Sequence, residues 1–247
     1  MSFAQRFAVK SILLFFLPFI HVENDERIES ASDPVIFAFN HNNSIETVLL
    51  AAYLLYRRDG AKVHFVVDWV FGSIPLLGRF IRLIEPIFVF NKKPRFKLLS
   101  GDLPKQKPDK AWDECVSTLK DNRSIAIFPE GTRNHDPSAL MAGRLGIGKI
   151  AIASAAPVVP VGVDFRDRSK HGKMPFFGSM TLRVGERLYF RNEIEESNNI
   201  NRSTNLTRRS KRNHLLYLDK KVLHNVMTEL SRLSGKSYPF DPPILQQ

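Results

Sequence analysis

Cysteine is almost absent from this chain, whose 247 residues contain only Cys115. A single cysteine excludes an intramolecular disulfide, a cysteine-ligated zinc finger and a Cys-x-x-Cys redox pair. Long apolar runs are also lacking, since the most apolar stretch, residues 12–20, is short and contains Pro18. As a helix it would reach about 14 Å, well short of the roughly 30 Å hydrocarbon core of a bilayer. These absences exclude a disulfide-stabilised scaffold and a bundle of membrane-spanning helices.

Acidic residues are outnumbered, with 25 Asp and Glu against 36 Lys and Arg, which gives a formal net charge of +11. Such a surface favours anionic partners: phospholipid headgroups, nucleic acid, or phosphorylated and CoA-like small molecules. The chain has 19 Phe against 5 Tyr and 2 Trp, and this excess of phenylalanine favours lipid among these partners. The sequence has no recognisable motif for reading bases, so we expect no specific nucleic-acid partner. Hydrophobic residues make up 43% of the chain, which is enough for a large core and excludes intrinsic disorder.

The N-terminal residues are interpreted as an amphipathic helix. Arg6 and Lys10 lie four residues apart, and therefore on one stripe of a helix, just before the apolar residues 12–20. No A-x-A-like cleavage site precedes Glu23, which disfavours a signal peptide. We expect an uncleaved helix that lies in one leaflet with its cations among the headgroups, the alternative being a core helix that happens to come first. The expected location is therefore membrane-associated, peripheral or monotopic, on the cytoplasmic face.

Apolar runs of the strand type alternate with helical patterns along the rest of the chain. Buried strands are predicted at residues 35–39, 63–67, 87–90, 125–128 and 158–163, with a later strand or hairpin at 182–190. Helices are predicted at residues 44–56, 111–119 and 147–155. This alternation predicts an α/β fold with a mostly parallel or mixed central sheet flanked by helices.

The chain is divided into three parts on these patterns. Residues 1–22 are predicted to be the membrane-associating helix, residues 23–196 the α/β domain, and residues 197–247 a basic linker followed by a C-terminal helix. The linker is placed at residues 197–213, which are rich in Asn, Ser, Thr and Arg. Apolar residues then recur on one helical face up to Leu233.

A histidine with an acid five positions later occurs four times, although chance predicts fewer than one such pair. Because four pairs share the spacing, the spacing alone does not show which of them forms a site. Only His41 directly follows an apolar strand and precedes an apolar helix, with Asn43 or Ser44 available as its cap. Glu46 then lies one turn into that helix. The functional interpretation is a general base whose second ring nitrogen donates to the carboxylate. The alternative is a helix-capping histidine with an unrelated surface glutamate.

A second motif, Phe-Pro-Glu-Gly-Thr-Arg at residues 128–133, follows the predicted strand at 125–128. It supplies a glycine, an acid and an arginine suited to binding an oxyanion, although it also fits a plain turn. With His41 and Glu46 it closely resembles the glycerophospholipid acyltransferase family, typified by lysophosphatidate acyltransferase. That family has Asn-His, four residues and Asp as its first block, and Phe-Pro-Glu-Gly-Thr-Arg as its third. Residues 156–161 match its Val-Pro-rich fourth block, and residues 74–78 resemble its Ile-Pro-x-x-Gly turn.

The resemblance, which spans residues 35–164, implies an O-acyltransferase of phospholipid biosynthesis. The fatty acyl group would pass from an acyl-CoA or acyl-carrier-protein thioester to a hydroxyl of lysophosphatidate or a similar lyso-lipid. His41 would remove the acceptor proton and Glu46 would orient the imidazole, without an acyl-enzyme. Backbone donors around Gly131 would meet the charge on the carbonyl oxygen. No metal and no resident cofactor are implied, and the partners would be membrane lipid and the acyl donor.

The acceptor is expected to contact the third block and a set of positions that depart from the family pattern. Asp68 stands where the family often has lysine, and Asn91 stands where its second block usually ends in arginine. Those cations are associated with the acceptor's phosphate, and the nearby Lys92 is a candidate substitute. The expected substrate-binding residues are therefore Glu130, Gly131, Thr132, Arg133, Asp68, Asn91 and Lys92. The alternatives are an acceptor without phosphate or with an amine, or a non-catalytic protein of this fold that binds anionic lipid.

Overall fold

The structure is a computed structural model that describes residues 7, 11, 20–28, 34–42, 44–58, 60–69, 85–89, 108–165 and 180–245. Most of the predicted N-terminal helix lies outside these residues. The predicted Ile-Pro turn at 74–78 and most of the second-block region, including Asn91 and Lys92, also lie outside them.

Seven strands in the described part of the chain form one mixed sheet. Five of them run parallel in the order β6-β2-β5-β3-β4, while β7 pairs antiparallel with β6 and β1 pairs parallel with β7. The prediction of a mostly parallel or mixed sheet is confirmed. The later strand is shorter than the predicted 182–190, since Leu188 makes only an isolated bridge to Val158. The strands are β1 Ile20–Glu23, β2 Ile36–Phe39, β3 Val63–Asp68, β4 Ile87–Val89, β5 Ser124–Ile127, β6 Val158–Phe165 and β7 Met180–Val184.

Five helices accompany the sheet in the described residues, and four of the five predicted helices, all except the N-terminal one, are confirmed. Alternating residues of each strand pack on opposite faces, so that Phe37 and Phe39 lie in one core and Ile36 and Ala38 in the other. Helix α1 covers the first face, and α2, α3 and α5 cover the second. Each such fully buried Phe or Ile contributes about 2 kcal/mol. The helices are α1 Ser44–Arg57, α2 Pro108–Lys120, α3 Gly146–Ser154, α4 Arg191–Arg202 and α5 Arg208–Ser234.

Two predictions about the ends of the chain are wrong. Residues 20–22 are not helical but lie in β1, whose partly buried Ile20 and Val22 pack on the α1 side of the sheet. Residues 197–213 are not a linker, because α4 runs through residue 202 and α5 begins at Arg208. Burial of Ile200 stabilises α4, and the Thr207 hydroxyl caps α5 by accepting from the backbone N–H of Ser210. The predicted boundary between residues 196 and 197 therefore falls inside α4.

The segment that follows α5 returns to the carboxyl edge of the parallel strands. Gly235, with φ of 66°, ends the helix in the left-handed conformation. The backbone of Ser237 then pairs with the segment 138–140, donating to the carbonyl of Ser138 and accepting from Leu140, both at 2.8 Å. The C-terminal residues thus lie against the loop that joins β5 to α3. In the described part of the chain, none of the helices combines the length and apolar character needed to cross a bilayer.

Candidate active site

His41 follows the carboxyl end of β2, a central strand of the sheet, and so lies at the carboxyl edge of the parallel strands. Strand β2 lies between β6 and β5 and ends at Phe39, after which the side chain of Asn40 continues the pairing with β6. Asn40 Nδ2 donates to the carbonyl of Val163 at 2.8 Å, and Asn40 Oδ1 accepts from the N–H of Val163 at 2.6 Å. Because this amide is fully buried and pairs in both directions, it fixes the point at which the chain leaves the sheet.

His41 and Glu46 form the predicted pair. Nδ1 of His41 lies 2.7 Å from Oε1 of Glu46, whose side chain is fully buried, whereas the histidine side chain is 13% exposed. A carboxylate at Nδ1 favours the tautomer with the proton on that nitrogen, which leaves the lone pair on Nε2. The pair therefore has the arrangement of a general base and its orienting acid rather than that of a helix-capping histidine.

The imidazole of His41 is also held by an aromatic contact. Its ring stacks on that of Phe128, at the end of the adjacent strand β5, with the centroids 4.2 Å apart and the planes at 29°. Phe128 is itself buried against Phe39. Stacking on one face and a hydrogen bond at Nδ1 together restrict rotation of the ring, so the direction of Nε2 is fixed before substrate binds.

Glu130 lies behind His41 rather than at the surface. Its carboxylate is 1% exposed and accepts from the backbone N–H of His41 at 2.9 Å, from that of Met141 at 2.8 Å and from Nδ2 of Asn134 at 2.8 Å. Burial raises the pKa of this carboxyl, while these three donors and the Lys236 cation oppose the rise. The N–H of Asn134 in turn donates to the carbonyl of His41 at 2.7 Å. Glu130 thus holds the backbone of the dyad, and the predicted contact with an acceptor would have to compete for the same oxygens.

The rest of the third block faces outward. Gly131 has φ of +68°, which favours glycine, and its N–H donates to the carbonyl of Phe128 at 2.9 Å. The N–H of Gly131 is therefore already used, so that among the backbone donors expected around this glycine its own N–H is not a free one. Arg133 is exposed and Thr132 is half-buried.

Arg144 lies beside the third block, although it is not part of that motif. Its exposed side chain lies across Gly131, so that a Cβ placed on that glycine would be 2.9 Å from Cγ and 3.4 Å from Nε of Arg144. Its backbone N–H donates to the carbonyl of Pro129 at 2.7 Å, which keeps it close to the third block. Because it follows Gly131 by thirteen residues of irregular chain, no periodic signal in the sequence connects the two.

The remaining predicted positions lie farther away or outside the described residues. Asp68 is half-buried at the end of β3, on the same edge as His41 but separated by β5, hence two strand spacings or about 10 Å away. Cys115 is fully buried in α2, and burial raises the pKa of its thiol to about 12, which argues against a nucleophilic role. Among the described residues, no cluster of His, Cys, Asp or Glu could hold a metal ion.

Comparisons with known proteins find acyltransferases. The family model described as Acyltransferase matches residues 19–164. The chain is 26% identical over 163 residues to the chloroplast 1-acyl-sn-glycerol-3-phosphate acyltransferase LPAT1 of Arabidopsis thaliana, covering 64% of this chain and 39% of the relative. It is 25% identical over 145 residues to BAT2, a chloroplast protein of the same description from Brassica napus, covering 57% and 36%. The chain therefore matches less than half the length of these curated relatives.

A solved structure also matches in fold. The crystal structure of the 1-acyl-sn-glycerophosphate acyltransferase PlsC from Thermotoga maritima aligns with a TM-score of 0.50 at 18% identity. The alignment covers 92% of this chain and 81% of that one. At this identity the similarity shows a shared α/β architecture.

Proposed function

Because this chain belongs to the acyltransferase family, whose model matches more than half of its residues, we propose that it is an O-acyltransferase that acts on lysophosphatidate or a similar lyso-lipid. The donor in this proposal is a fatty acyl thioester of CoA or of acyl-carrier protein. The observation that carries it is the contact between His41 Nδ1 and Glu46 Oε1, which leaves Nε2 as the basic atom beside the third block. Both substrates are amphiphiles, so we place the reaction at a membrane surface.

The proposed reaction is a direct transfer. Nε2 of His41 takes the proton of the acceptor hydroxyl while its oxygen attacks the thioester carbonyl carbon. The carbon–sulfur bond then breaks, and the leaving thiolate takes the proton from the imidazolium. Glu46 stabilises the imidazolium through Nδ1, and general-base catalysis of this kind contributes about 10²- to 10⁴-fold.

Two exposed arginines support a phosphate-bearing acceptor. Arg133 belongs to the third block, and Arg144 lies across Gly131 in the same loop. Glu130 of that loop accepts a hydrogen bond from the backbone N–H of His41. Guanidinium groups bind phosphate oxygens through paired, charge-assisted hydrogen bonds. In this proposal Arg144 replaces part of the positive charge that the sequence lacks at Asp68 and Asn91. Asp68 is the observation that favours an amine-bearing acceptor instead.

An acceptor panel tests the proposed function. Purified protein is assayed with lysophosphatidate, with monoacylglycerol as the matched acceptor without phosphate, and with lysophosphatidylethanolamine as the amine-bearing acceptor, each with both thioester donors. We expect kcat/KM for lysophosphatidate to exceed that for monoacylglycerol at least about tenfold, the value of one charge-assisted hydrogen bond. Preference for the amine-bearing acceptor would instead support the role suggested by Asp68. Absence of transfer to every acceptor would favour a non-catalytic lipid-binding protein.

Variants at Arg144 sharpen this panel. Arg144→Gln is expected to raise KM for lysophosphatidate about tenfold and to leave KM for monoacylglycerol unchanged, because only the former offers a phosphate. Lys149→Gln, which removes an exposed cation from the neighbouring helix α3, is the matched control. Equal changes in KM for both acceptors, or equal effects of the two variants, would remove Arg144 from the acceptor site.

A further inference from the structure

A buried cation lies next to the dyad and outside the residues that the family model matches. Lys236, on the segment after α5, is 4% exposed. Its ammonium donates to Oδ1 of Asn42 at 2.7 Å and to the backbone carbonyl of Asp136 at 2.8 Å. Burying an ammonium costs free energy unless several acceptors surround it, so its position here calls for a reason.

The side-chain amide of Asn42 lies between the ammonium of Lys236 and the carboxylate of Glu46. Asn42 is 1% exposed, and its Nδ2 donates to Oε2 of Glu46 and to the carbonyl of Val163, both at 3.2 Å. A reversed amide would set its oxygen against a carboxylate and a carbonyl, and its NH₂ group against the ammonium of Lys236. Since an amide offers donors at one end and acceptors at the other, the cation favours the orientation that donates to Glu46.

Glu46 is thereby held from two sides. Its Oε2 accepts from Asn42 Nδ2, and its Oε1 accepts from the Asn42 backbone N–H and contacts His41 Nδ1. A continuous chain of polar contacts therefore runs from Lys236 through Asn42 and Glu46 to the imidazole. The cation's field also opposes the rise in pKa that burial causes at the nearby Glu130.

We propose that Lys236 is a positioning residue of the dyad, whose ammonium fixes the amide of Asn42 and through it holds Glu46 against Nδ1 of His41. The kinetic part of this inference rests on the proposed acyl transfer. The geometric part concerns only the hydrogen bond between His41 and Glu46. Where an imidazole binds a metal, loss of the polar group that orients it commonly costs about 10- to 100-fold in affinity or activity, and by analogy we expect an effect near the lower end of this range.

The kinetic test is a double-mutant cycle. Lys236→Met is expected to lower kcat about tenfold with both KM values within twofold of wild type, because the residue touches neither substrate. In an Asn42→Ala background the same change is expected to have no further effect, since Lys236 acts through that amide. Ser237→Ala, which removes only a hydroxyl bond to the carbonyl of Ser138 in the same segment, is the matched control. An unchanged kcat, or effects that multiply in the double variant, would overturn the proposal.

A spectroscopic test separates this inference from the proposed function. The proton between His41 Nδ1 and Glu46 is expected to give a downfield resonance in proton NMR, assigned by its absence in His41→Ala. We expect it to be lost in Lys236→Met and retained in Ser237→Ala, whether or not the protein transfers acyl groups. Persistence of the resonance in Lys236→Met would overturn the inference even if acyl transfer is found. If Lys236→Met does not fold, Lys236→Gln takes its place, because it removes the charge and keeps a shorter side chain with an amide donor. We expect this variant to weaken the same resonance. An unaltered resonance would contradict the proposal.

Discussion

Replacing His41 with alanine is expected to lower kcat/KM for acyl transfer about a thousandfold, because it removes the proton acceptor that the reaction needs. The fold should survive, since the imidazole is partly exposed and Glu46 keeps its two hydrogen bonds from Asn42. We therefore expect the free energy of unfolding to fall by only about 1–2 kcal/mol, the cost of one hydrogen bond and one ring contact. Initial rates and urea unfolding measure the two effects separately.

His214→Ala is the control for this variant. His214 also has an acid five positions later, Asp219, but its Nδ1 contacts the carbonyl of Ser210 within α5 at 2.9 Å. The end of α5 at Ser234 lies near the dyad, since Lys236 follows it and contacts Asn42. Twenty residues of helix, or about 30 Å, separate His214 from that end. We expect His214→Ala to retain wild-type activity. Substantial transfer by His41→Ala, or equal losses in the two histidine variants, would reject His41 as the base.

Glu130→Ala is expected to lower the free energy of unfolding by about 3 kcal/mol, because buried donors from His41, Met141 and Asn134 would lose their acceptor. We also expect kcat to fall at least tenfold, since the backbone of His41 loses its support, while KM for the acceptor changes little. Urea unfolding monitored by circular dichroism gives the first quantity, and steady-state kinetics give the second and third.

The opposite pattern would follow from a direct contact between Glu130 and the acceptor, as the family resemblance implies. KM for the acceptor would then rise while the free energy of unfolding stayed near that of wild type. Glu193→Ala is the matched control, because Glu193 is also a buried carboxylate but pairs with Lys221 between α4 and α5. It is expected to lower stability without altering kcat.

Apolar periodicity was sufficient to predict the strands and helices around the site. The parallel strands are buried on both faces, so they appear in the sequence as continuous apolar runs such as Ile36–Phe39. The position of His41 followed from such a run and from the helix after it. The same reasoning failed for β1, because Ile20 is the last residue of an apolar run that fits a helix equally well, and only pairing with β7 makes Ile20–Glu23 a strand.

The support of the dyad could not be predicted because it depends on contacts between residues far apart in sequence. Lys236 contacts a residue 194 positions away, and Glu130 contacts the backbone of His41 across 89 positions. Lysine and glutamate usually lie at the surface, so the sequence gives no reason to expect these two to be buried. Only the fold reveals that hydrogen-bond partners surround them. The motif therefore identified His41 as a candidate base, but it did not reveal which residues hold that histidine in place.

Direct transfer at His41 is tested most plainly by following thiol release and lipid acylation together in the wild-type protein. General-base catalysis predicts one thiol released for each lysophosphatidate acylated, and no burst of thiol when the hydroxyl acceptor is omitted. A stoichiometric burst without acceptor, with the acyl group recovered on the protein, would contradict it and require a covalent nucleophile.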